Sequence, residues 1–297
     1  MNNSERSVLL NGIIKSADEA ILSSSNRAFR YGDALFETMR CVQLKALWFN
    51  DHYQRLLNGM ALLKMDIKSL PTAYLLQREI SKLVRLNKIY GDARIRLSVF
   101  REDGGLYTPQ SNRVNWLIEA SPLATSGYTL NTKGLLTTIY QDETKAIKHL
   151  GQFKSANALF FVLAGLYKAE QGLDDVLIMN EHHQIIEGLA SNLFWVHNDQ
   201  IYTPLRSSGC VDGIMRKQVI RLLRADGYTL HEVAGTDEAT LMNADEIFLS
   251  NAIQGIQWVV GLNEKRYFCR VSKTISRLLN KAMINYTLDS PENSSRP

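Results

Sequence analysis

Polar and apolar residues alternate, or recur every three to four positions, along much of the chain. At 94–100 the polar residues Arg94, Arg96 and Ser98 alternate with Ile, Leu and Val, which predicts a strand with one polar and one apolar face. Similar patterns predict the other elements before residue 121: strands at 8–10, 34–42 and 47–49, and helices at 51–64 and 72–86.

Capping residues indicate where the predicted helices begin and end. Asn50 and Asp51 are the N-cap candidates of helix 51–64, because their side chains can accept hydrogen bonds from first-turn N–H groups. A longer helix is predicted at 155–171, just before Gly172. It carries an apolar stripe at i, i+3, i+4, i+7 and i+8: Leu159, Val162, Leu163, Leu166 and Tyr167.

A turn-forming stretch at 121–127, Ser-Pro-Leu-Ala-Thr-Ser-Gly, separates two sets of elements. Beyond it the patterns predict strands and one more helix: strands at 128–140, 175–179, 185–186 and 193–197, and a helix at 214–225. Strands and helices alternate in both halves, which predicts a two-domain α+β or α/β protein divided into 1–122 and 123–297.

Composition narrows the classes of protein. The chain is 45% hydrophobic and 22% charged, as is typical of globular proteins, and its net charge of +4 is spread rather than concentrated in one stripe. The longest apolar stretch, 156–167, is shorter than the ~20 residues of a membrane span. Cys41, Cys210 and Cys269 fit neither a disulfide framework nor a metal site. We therefore expect a cytoplasmic protein without nucleic-acid, membrane or metal partners. The last residues, 289–297, are polar and are expected to fray.

An ordered set of short motifs occupies 187–216. Glu187 is followed by Asn192-Leu-Phe, then by Thr203, then by Val-Asp-Gly-Ile-Met-Arg at 211–216. Each piece alone is common, but the order and the gaps are specific. The set resembles the signature of the class IV aminotransferases. These fold-type-IV pyridoxal-phosphate (PLP) enzymes include branched-chain and D-amino-acid aminotransferases and aminodeoxychorismate lyase.

The resemblance extends over nearly the whole chain. Residues 26–38 look like the family's Arg…Gly-Asp-x-x-aromatic-Glu segment, 52–56 like its His-x-x-Arg-Leu, and 244–252 like its Ala-Asp-Glu-aliphatic strand and following loop. The resemblance implies a fold-type-IV α+β fold, a C-terminal PLP-binding domain that carries the Schiff-base lysine, and a homodimer.

The motifs also imply how the cofactor is bound. A phosphate is stabilised at a helix N-terminus, so we assign it to the amides of Ile214 and Met215, with Gly213 allowing close approach. Arg55 matches the arginine expected to clamp the phosphate, and Glu187 matches the acid that keeps the pyridine nitrogen protonated. The resemblance adds three further cofactor contacts: Asn192, Asn251 and Ala252.

Three lysines compete for the Schiff base, and composition does not separate them: Lys145, Lys148 and Lys154. Ile-Lys148-His-Leu looks like the Ile-Lys-x-Leu of some family members, and Lys154-Ser-Ala-Asn looks like their Lys-x-x-Asn. Lys154 precedes Glu187 by 33 residues and Lys148 precedes it by 39. The family's spacing matches Lys154, which we therefore predict as the attachment lysine.

The resemblance implies a transaminase. Substrate amine displaces Lys154 from the cofactor, the freed Lys154 serves as general base and acid, and a 2-oxo acid is released. An arginine on the polar face of strand 94–100 could bind a substrate carboxylate or serve only as a structural ion-pair partner. The candidate substrate residues are Arg96 first and Arg101 in reserve, with Tyr31, Phe36 and Thr38. The alternative is a lyase of the aminodeoxychorismate type that releases pyruvate with the same lysine.

Overall fold

The structure is a computed structural model that describes residues 6–19 and 21–288, so the predicted fraying of 289–297 lies outside the described residues. The described chain forms two compact units. Unit 1 contains 6–127 apart from residue 20, together with 153–157 and 283–288; unit 2 contains 128–152 and 158–282. The sequence-based division at residue 122 stays a prediction.

Unit 1 is built on a six-stranded sheet of order β2-β1-β6-β5-β3-β4. Its strands are β1 (Ser7–Leu10), β2 (Ile13–Ser16), β3 (Ala34–Val42), β4 (Lys45–Ala46), β5 (Ala93–Arg101) and β6 (Val114–Pro122). Its helices are α1 (Arg27–Tyr31), α2 (Phe49–Leu62) and α3 (Ala73–Leu86), with a 3-10 turn at Ile67–Ser69.

The alternation in β5 determines which face of this sheet is covered. Ile95, Leu97 and Val99 are at most 1% exposed and belong to one core with α2 and α3. Arg96 and Ser98 lie on the other, half-buried face, as the polar and apolar alternation predicted.

The structure corrects the start of α2. The predicted strand at 47–49 is wrong: β3 turns at Gln43 and Leu44, both with positive φ, into the two-residue β4. The helix then begins at Phe49, with Trp48 at the N-cap and no side-chain cap hydrogen bond from the described residues. The capping candidates Asn50 and Asp51 are therefore wrong, because both lie inside the first turn.

Unit 2 contains a nine-stranded mixed sheet of order β12-β11-β10-β13-β14-β7-β8-β9, with β15 beside β14 and a further pairing of β9 with β10. Its strands are β7 (Leu135–Lys145), β8 (Asp175–Asn180), β9 (Ile185–Gly188), β10 (Asn192–His197), β11 (Gln200–Pro204), β12 (Leu230–Val233), β13 (Glu246–Asn251), β14 (Gly255–Leu262) and β15 (Lys265–Arg266). Its helices are α4 (Leu159–Glu170), α5 (Ile214–Ala225), α6 (Glu238–Met242) and most of α7 (Val271–Leu288), with 3-10 turns at His149–Gln152 and Arg206–Ser208.

Two predicted elements of this half begin later than expected. The strand predicted at 128–140 runs from 135 to 145 instead, so Lys145 becomes its last residue. The helix predicted from 155 begins at Leu159 because Ser155 forms a bridge with Leu35 of β3, and the backbones of Lys154 and Ala156 are hydrogen-bonded to the same strand. The predicted helix at 214–225 is confirmed with the same bounds.

Four of the five residues of the apolar stripe of α4 are exposed, and Tyr167 is not. Leu159 is 71% exposed, Leu166 is 55% and Val162 is 53%, whereas Ala164 is buried. Tyr167, the fifth residue of the stripe, packs on the Tyr140 ring, as does Phe160 from outside the stripe. The helical period read from the sequence was right, but most of the stripe does not contribute to the interior of unit 2.

Within residues 6–19 and 21–288, no helix combines the length and apolarity of a membrane span. The same residues contain no group of three or more His, Cys, Asp or Glu side chains arranged to hold a metal ion.

Candidate active site

A buried ion pair in unit 2 involves Glu187, the acid singled out by the sequence. Glu187 lies in β9 and is 2% exposed, and its Oε1 accepts a hydrogen bond from the Lys145 ammonium at the end of β7. Its Oε2 accepts from the Val211 backbone N–H at 2.9 Å. Lys145 Nζ also lies 3.3 Å from the Gly151 carbonyl oxygen. Both carboxylate oxygens of Glu187 are therefore held by donors of the same unit.

The N-terminus of α5 begins two residues after Val211, the backbone donor to Glu187. Gly213 is the N-cap and has no side chain, so it makes no side-chain cap hydrogen bond to the first turn of this 12-residue helix. Asn192 donates from Nδ2 to the Val211 carbonyl oxygen at 2.8 Å. A Cβ at position 213 would lie 1.8 Å from Asn192 Oδ1. Gly213 is required here by space, since its φ of −68° is open to other residues.

The loop after β13 lies next to Asn192 in the sheet. Ser250 pairs with Asn192 in register, and its buried hydroxyl has no hydrogen-bond partner among residues 6–19 and 21–288. Asn251 Oδ1 accepts from the N–H groups of Ile253 and Gln254, at 3.0 and 2.8 Å, which shapes the turn. The Ser250 hydroxyl is therefore a buried polar group beside Asn192 that could donate to a small anion.

Arg55 lies in a buried cluster of unit 1. Its guanidinium makes a two-pronged contact with Glu37, with Nε at 2.8 Å from Oε1 and the second prong on Oε2. His52 Nδ1 lies 2.6 Å from the same Oε2. Burial raises the pKa of Glu37, but the Arg55 charge and the hydrogen bonds from His52 and Arg55 outweigh it and lower the pKa to about 2. Burial also lowers the pKa of His52, against the opposing effect of Glu37.

Lys154 is anchored to β3 in unit 1 through the backbone. Its carbonyl oxygen accepts from Phe36 N–H at 2.8 Å, and Ala156 N–H donates to the Ala34 carbonyl oxygen at 2.9 Å. The ammonium lies 5.4 Å from the centre of the Phe36 ring. Asn157, the last residue of the Lys-x-x-Asn motif, donates to the Gly32 carbonyl oxygen. The backbone thus fixes Lys154 beside Phe36.

Three of the five candidate substrate residues, Phe36, Thr38 and Arg96, share one face of the unit 1 sheet. Thr38 is paired with Arg96 in register, and the Arg96 guanidinium stacks 3.7 Å from the Phe36 ring centre. Burial lowers the pKa of Arg96 in spite of Glu119, which lies 3.8 Å away. Tyr31 is the last residue of α1, outside the sheet, and packs against the Tyr107 ring.

Arg101 has a different environment. It is 5% exposed and donates to Asp33, Asn112 and the carbonyl oxygens of Leu63 and Lys64. All five of its donors are used inside unit 1, so Arg101 has the structural ion-pair role that the sequence left open for it.

The structure brings together only part of the predicted site within each unit. Glu187, Asn192 and Gly213 form one group in unit 2, and Arg96, Phe36 and Lys154 form another in unit 1. Two functional candidates, Glu37 and His52, had no role in the sequence-based assignment, although both stand in the quoted motifs. Lys145 was one of the three candidate Schiff-base lysines; the structure instead places its ammonium on Glu187, through the pairing of β7 with β8.

Comparison with known proteins identifies the family. The model of the family described as amino-transferase class IV matches residues 34–262. Aminodeoxychorismate lyase of Bacillus subtilis (strain 168) is 26% identical over 277 residues, covering 91% of this chain and 92% of the relative. A probable branched-chain-amino-acid aminotransferase of Aquifex aeolicus (strain VF5) is 28% identical over 273 residues, covering 86% and 84%.

A solved structure agrees in fold. The T.th. branched-chain amino acid aminotransferase, complexed with N-(5'-phosphopyridoxyl)-L-glutamate, has a TM-score of 0.82 at 23% identity. The match covers 97% of this chain and 96% of that one. These similarities confirm the predicted α+β fold class and the resemblance that the motifs indicated.

Proposed function

Because the chain belongs to the class IV aminotransferases, we propose that it transfers the amino group of a branched-chain-like amino acid to a 2-oxo acid with PLP as cofactor. The observation that carries the proposal is the arrangement in unit 2: Glu187 is held by the N–H of Val211, two residues before the N-cap of α5. An acid for the pyridine nitrogen and amides for a phosphate therefore lie within one small region.

The residues of unit 2 fit this cofactor. The α5 N-terminus offers the amides of Ile214 and Met215 to the phosphate, and the backbone N–H groups of Asn251 and Ala252, after β13, are proposed as further contacts. The Ser250 hydroxyl, buried without a partner within the described chain, lies in the same part of the sheet. When bound, PLP supplies an electron sink for the charge that develops at the substrate Cα.

The protein's own residues perform the proton transfers and the positioning. Lys154 would hold the cofactor, and its free Nζ would accept the proton of the substrate Cα. Glu187 holds a proton on the pyridine nitrogen by its negative charge. Arg55 is proposed as the phosphate clamp; its two-pronged contact with Glu37 orients the guanidinium from behind.

Arg96 is the proposed partner of the substrate carboxylate. The guanidinium is half-buried and stacked on Phe36, so its orientation is restricted before substrate binds. Tyr31, Phe36 and Thr38 would line the space beside it. The aliphatic preference is supported by the branched-chain relative.

The attachment lysine is tested by borohydride reduction of the PLP-saturated protein followed by peptide mapping. We expect the label on Lys154, and Lys154→Ala should remove it and abolish turnover because no amine remains at the attachment site. Lys148→Ala is the matched control and should keep both the label on Lys154 and turnover. A label on Lys145 or Lys148 contradicts the assignment; no label at all contradicts the proposed function.

A lyase reaction is the second candidate, favoured by the Bacillus subtilis relative and by Thr38, a hydroxyl beside Arg96 in register. The two reactions differ in their need for an acceptor. Dependence of turnover on a 2-oxo acid supports the aminotransferase, whereas pyruvate formed from aminodeoxychorismate without an acceptor supports the lyase.

We also propose a homodimer located in the cytoplasm. The exposed stripe of α4, at Leu159, Val162 and Leu166, is the surface expected to contact a second copy. The cytoplasmic location is supported by Cys41, Cys210 and Cys269, all free thiols.

A further inference from the structure

We infer that Lys145 is a built-in counter-ion of Glu187 that competes with the protonated pyridine nitrogen of the cofactor for this carboxylate. The inference rests on the proposed function, because it presupposes PLP at Glu187. Lys145 is thereby a positioning residue that stabilises the cofactor-free protein and weakens cofactor binding.

The pair is fixed by the sheet. Lys145 is paired with Asn180 of β8, and its carbonyl oxygen accepts from Glu181 N–H at 3.1 Å. Glu187 is paired with Ile178 of the same strand. Both backbones are therefore held by β8, and the two side chains meet in the interior, where Lys145 is 9% and Glu187 is 2% exposed. An ion pair in such a place has little competition from water.

The surroundings of Lys145 are mostly neutral. Its ammonium lies 3.3 Å from the Gly151 carbonyl oxygen and 5.3 Å from the centre of the Phe161 ring. The nearby Cys210 is buried, and burial together with the Glu187 charge raises the pKa of its thiol to about 11, so it adds no charge. The electrostatic partner of Lys145 is therefore Glu187.

The geometry distinguishes this role from cofactor attachment. In PLP the ring nitrogen and the aldehyde carbon lie at opposite ends of the pyridine ring. A ring whose nitrogen faces Glu187 thus points its aldehyde away from that carboxylate. An ammonium that is hydrogen-bonded to Glu187, as that of Lys145 is, lies at the wrong end of the ring to form the imine.

Two cations then share one carboxylate. A protonated pyridine nitrogen gains from the Glu187 charge but is repelled by the Lys145 ammonium, so cofactor binding is weaker than with Glu187 alone. Removing the ammonium leaves Glu187 without its counter-ion and with the neutral Val211 N–H as a donor, which destabilises the cofactor-free fold. Bound cofactor replaces the missing cation and restores stability.

The experiment titrates cofactor-free full-length protein with PLP and follows the absorbance of bound cofactor and the melting temperature. Lys145→Met should bind PLP about tenfold more tightly, melt at a lower temperature without PLP, and gain more in melting temperature on PLP addition than the wild type. Lys145→Gln should behave in the same way, and Lys145→Arg should restore wild-type behaviour. Lys148→Met, at an exposed position, is the matched control and should change none of these values.

The Glu187→Gln background isolates the coupling. There, Lys145→Met should no longer tighten PLP binding, because the shared charge is gone. Unchanged or weaker PLP binding by both Lys145→Met and Lys145→Gln overturns the inference. So does the loss, in these variants, of the cofactor label that borohydride reduction attaches to the wild-type protein. Failure of the proposed function looks different: the wild-type protein itself then carries no label.

Discussion

Two buried side chains of unit 1, Arg55 and His52, are held by the negative charge of a third, Glu37. Arg55 and His52 both contact its carboxylate, and all three residues are at most 6% exposed. The Arg55 charge and the hydrogen bonds outweigh burial and bring the pKa of Glu37 from 4.5 to about 2. The folded protein therefore holds this proton less firmly than the unfolded chain does.

The sign of the pH dependence follows from this shift. The contribution of Glu37 to the free energy of unfolding is present in full above pH 4.5 and is lost as pH falls from 4.5 towards 2. Its size is on the order of 3 kcal/mol, from ~1.4 kcal/mol for each unit of pKa. Glu37→Gln should lower the free energy of unfolding at neutral pH and flatten its decline over this range.

Urea denaturation at a series of pH values measures this effect. Glu264→Gln, at an exposed position in a turn, is the control and should keep the wild-type decline. An equally steep loss of stability in Glu37→Gln would show that other groups are responsible.

At the scale of elements, the segment that joins β11 to α5 connects Glu187, Asn192 and the N-terminus of α5. Val211 donates its N–H to Glu187 and accepts at its carbonyl from Asn192, and Gly213 begins the helix two residues later. A change at the N-cap is therefore transmitted through Asn192 and Val211 to the carboxylate.

Gly213→Ala tests this coupling. The backbone conformation suits alanine, but the new Cβ would lie 1.8 Å from Asn192 Oδ1, so the amide must move and its bond to Val211 is strained. We expect PLP affinity to fall about tenfold, the cost of one misplaced hydrogen bond. The measurement is a PLP titration of cofactor-free protein.

Gly165→Ala is a matched control within α4. A Cβ there meets only Leu189 Cδ2 at 3.8 Å, an ordinary contact, so PLP affinity should stay as in the wild type. Wild-type affinity in Gly213→Ala would mean that the loop absorbs the Cβ without disturbing the site.

At the scale of the whole molecule, the exposed apolar residues of α4 are the proposed contact surface for a second copy of the chain. A second copy would cover Leu159, Val162, Leu163 and Leu166, whose exposure ranges from 39% to 71%. The double variant Val162→Glu and Leu166→Glu should shift a dimer to monomer, because dimer formation would bury unpaired charges.

Sedimentation velocity reports the oligomeric state directly. Leu75→Glu in α3, where Leu75 is 45% exposed, is a control that should remain dimeric. A monomeric wild type, or a charged α4 variant that stays dimeric, would contradict the assignment of this surface.

Residue order alone was enough to identify the family and most of the elements. The order and spacing of short motifs can be read directly from the sequence, so Glu187, Thr203 and 211–216 could be recognised as one set. The family match confirmed that recognition. The strand at 34–42 and the helix at 214–225 were also predicted with their observed bounds, because their patterns and end signals are local.

The contacts around these residues were decided by the tertiary structure. Lys145 reaches Glu187 because β7 and β9 both pair with β8, a proximity across 42 positions that spacing does not encode. Arg101 could be either a ligand or a structural residue until the fold supplied acceptors for all its donors. The stripe of α4 had a helical period in the sequence, but only the packing of neighbouring elements determined that most of it faces outwards. Local sequence specifies the conformation of a segment, whereas burial and charge pairing depend on which distant segments the fold brings beside it.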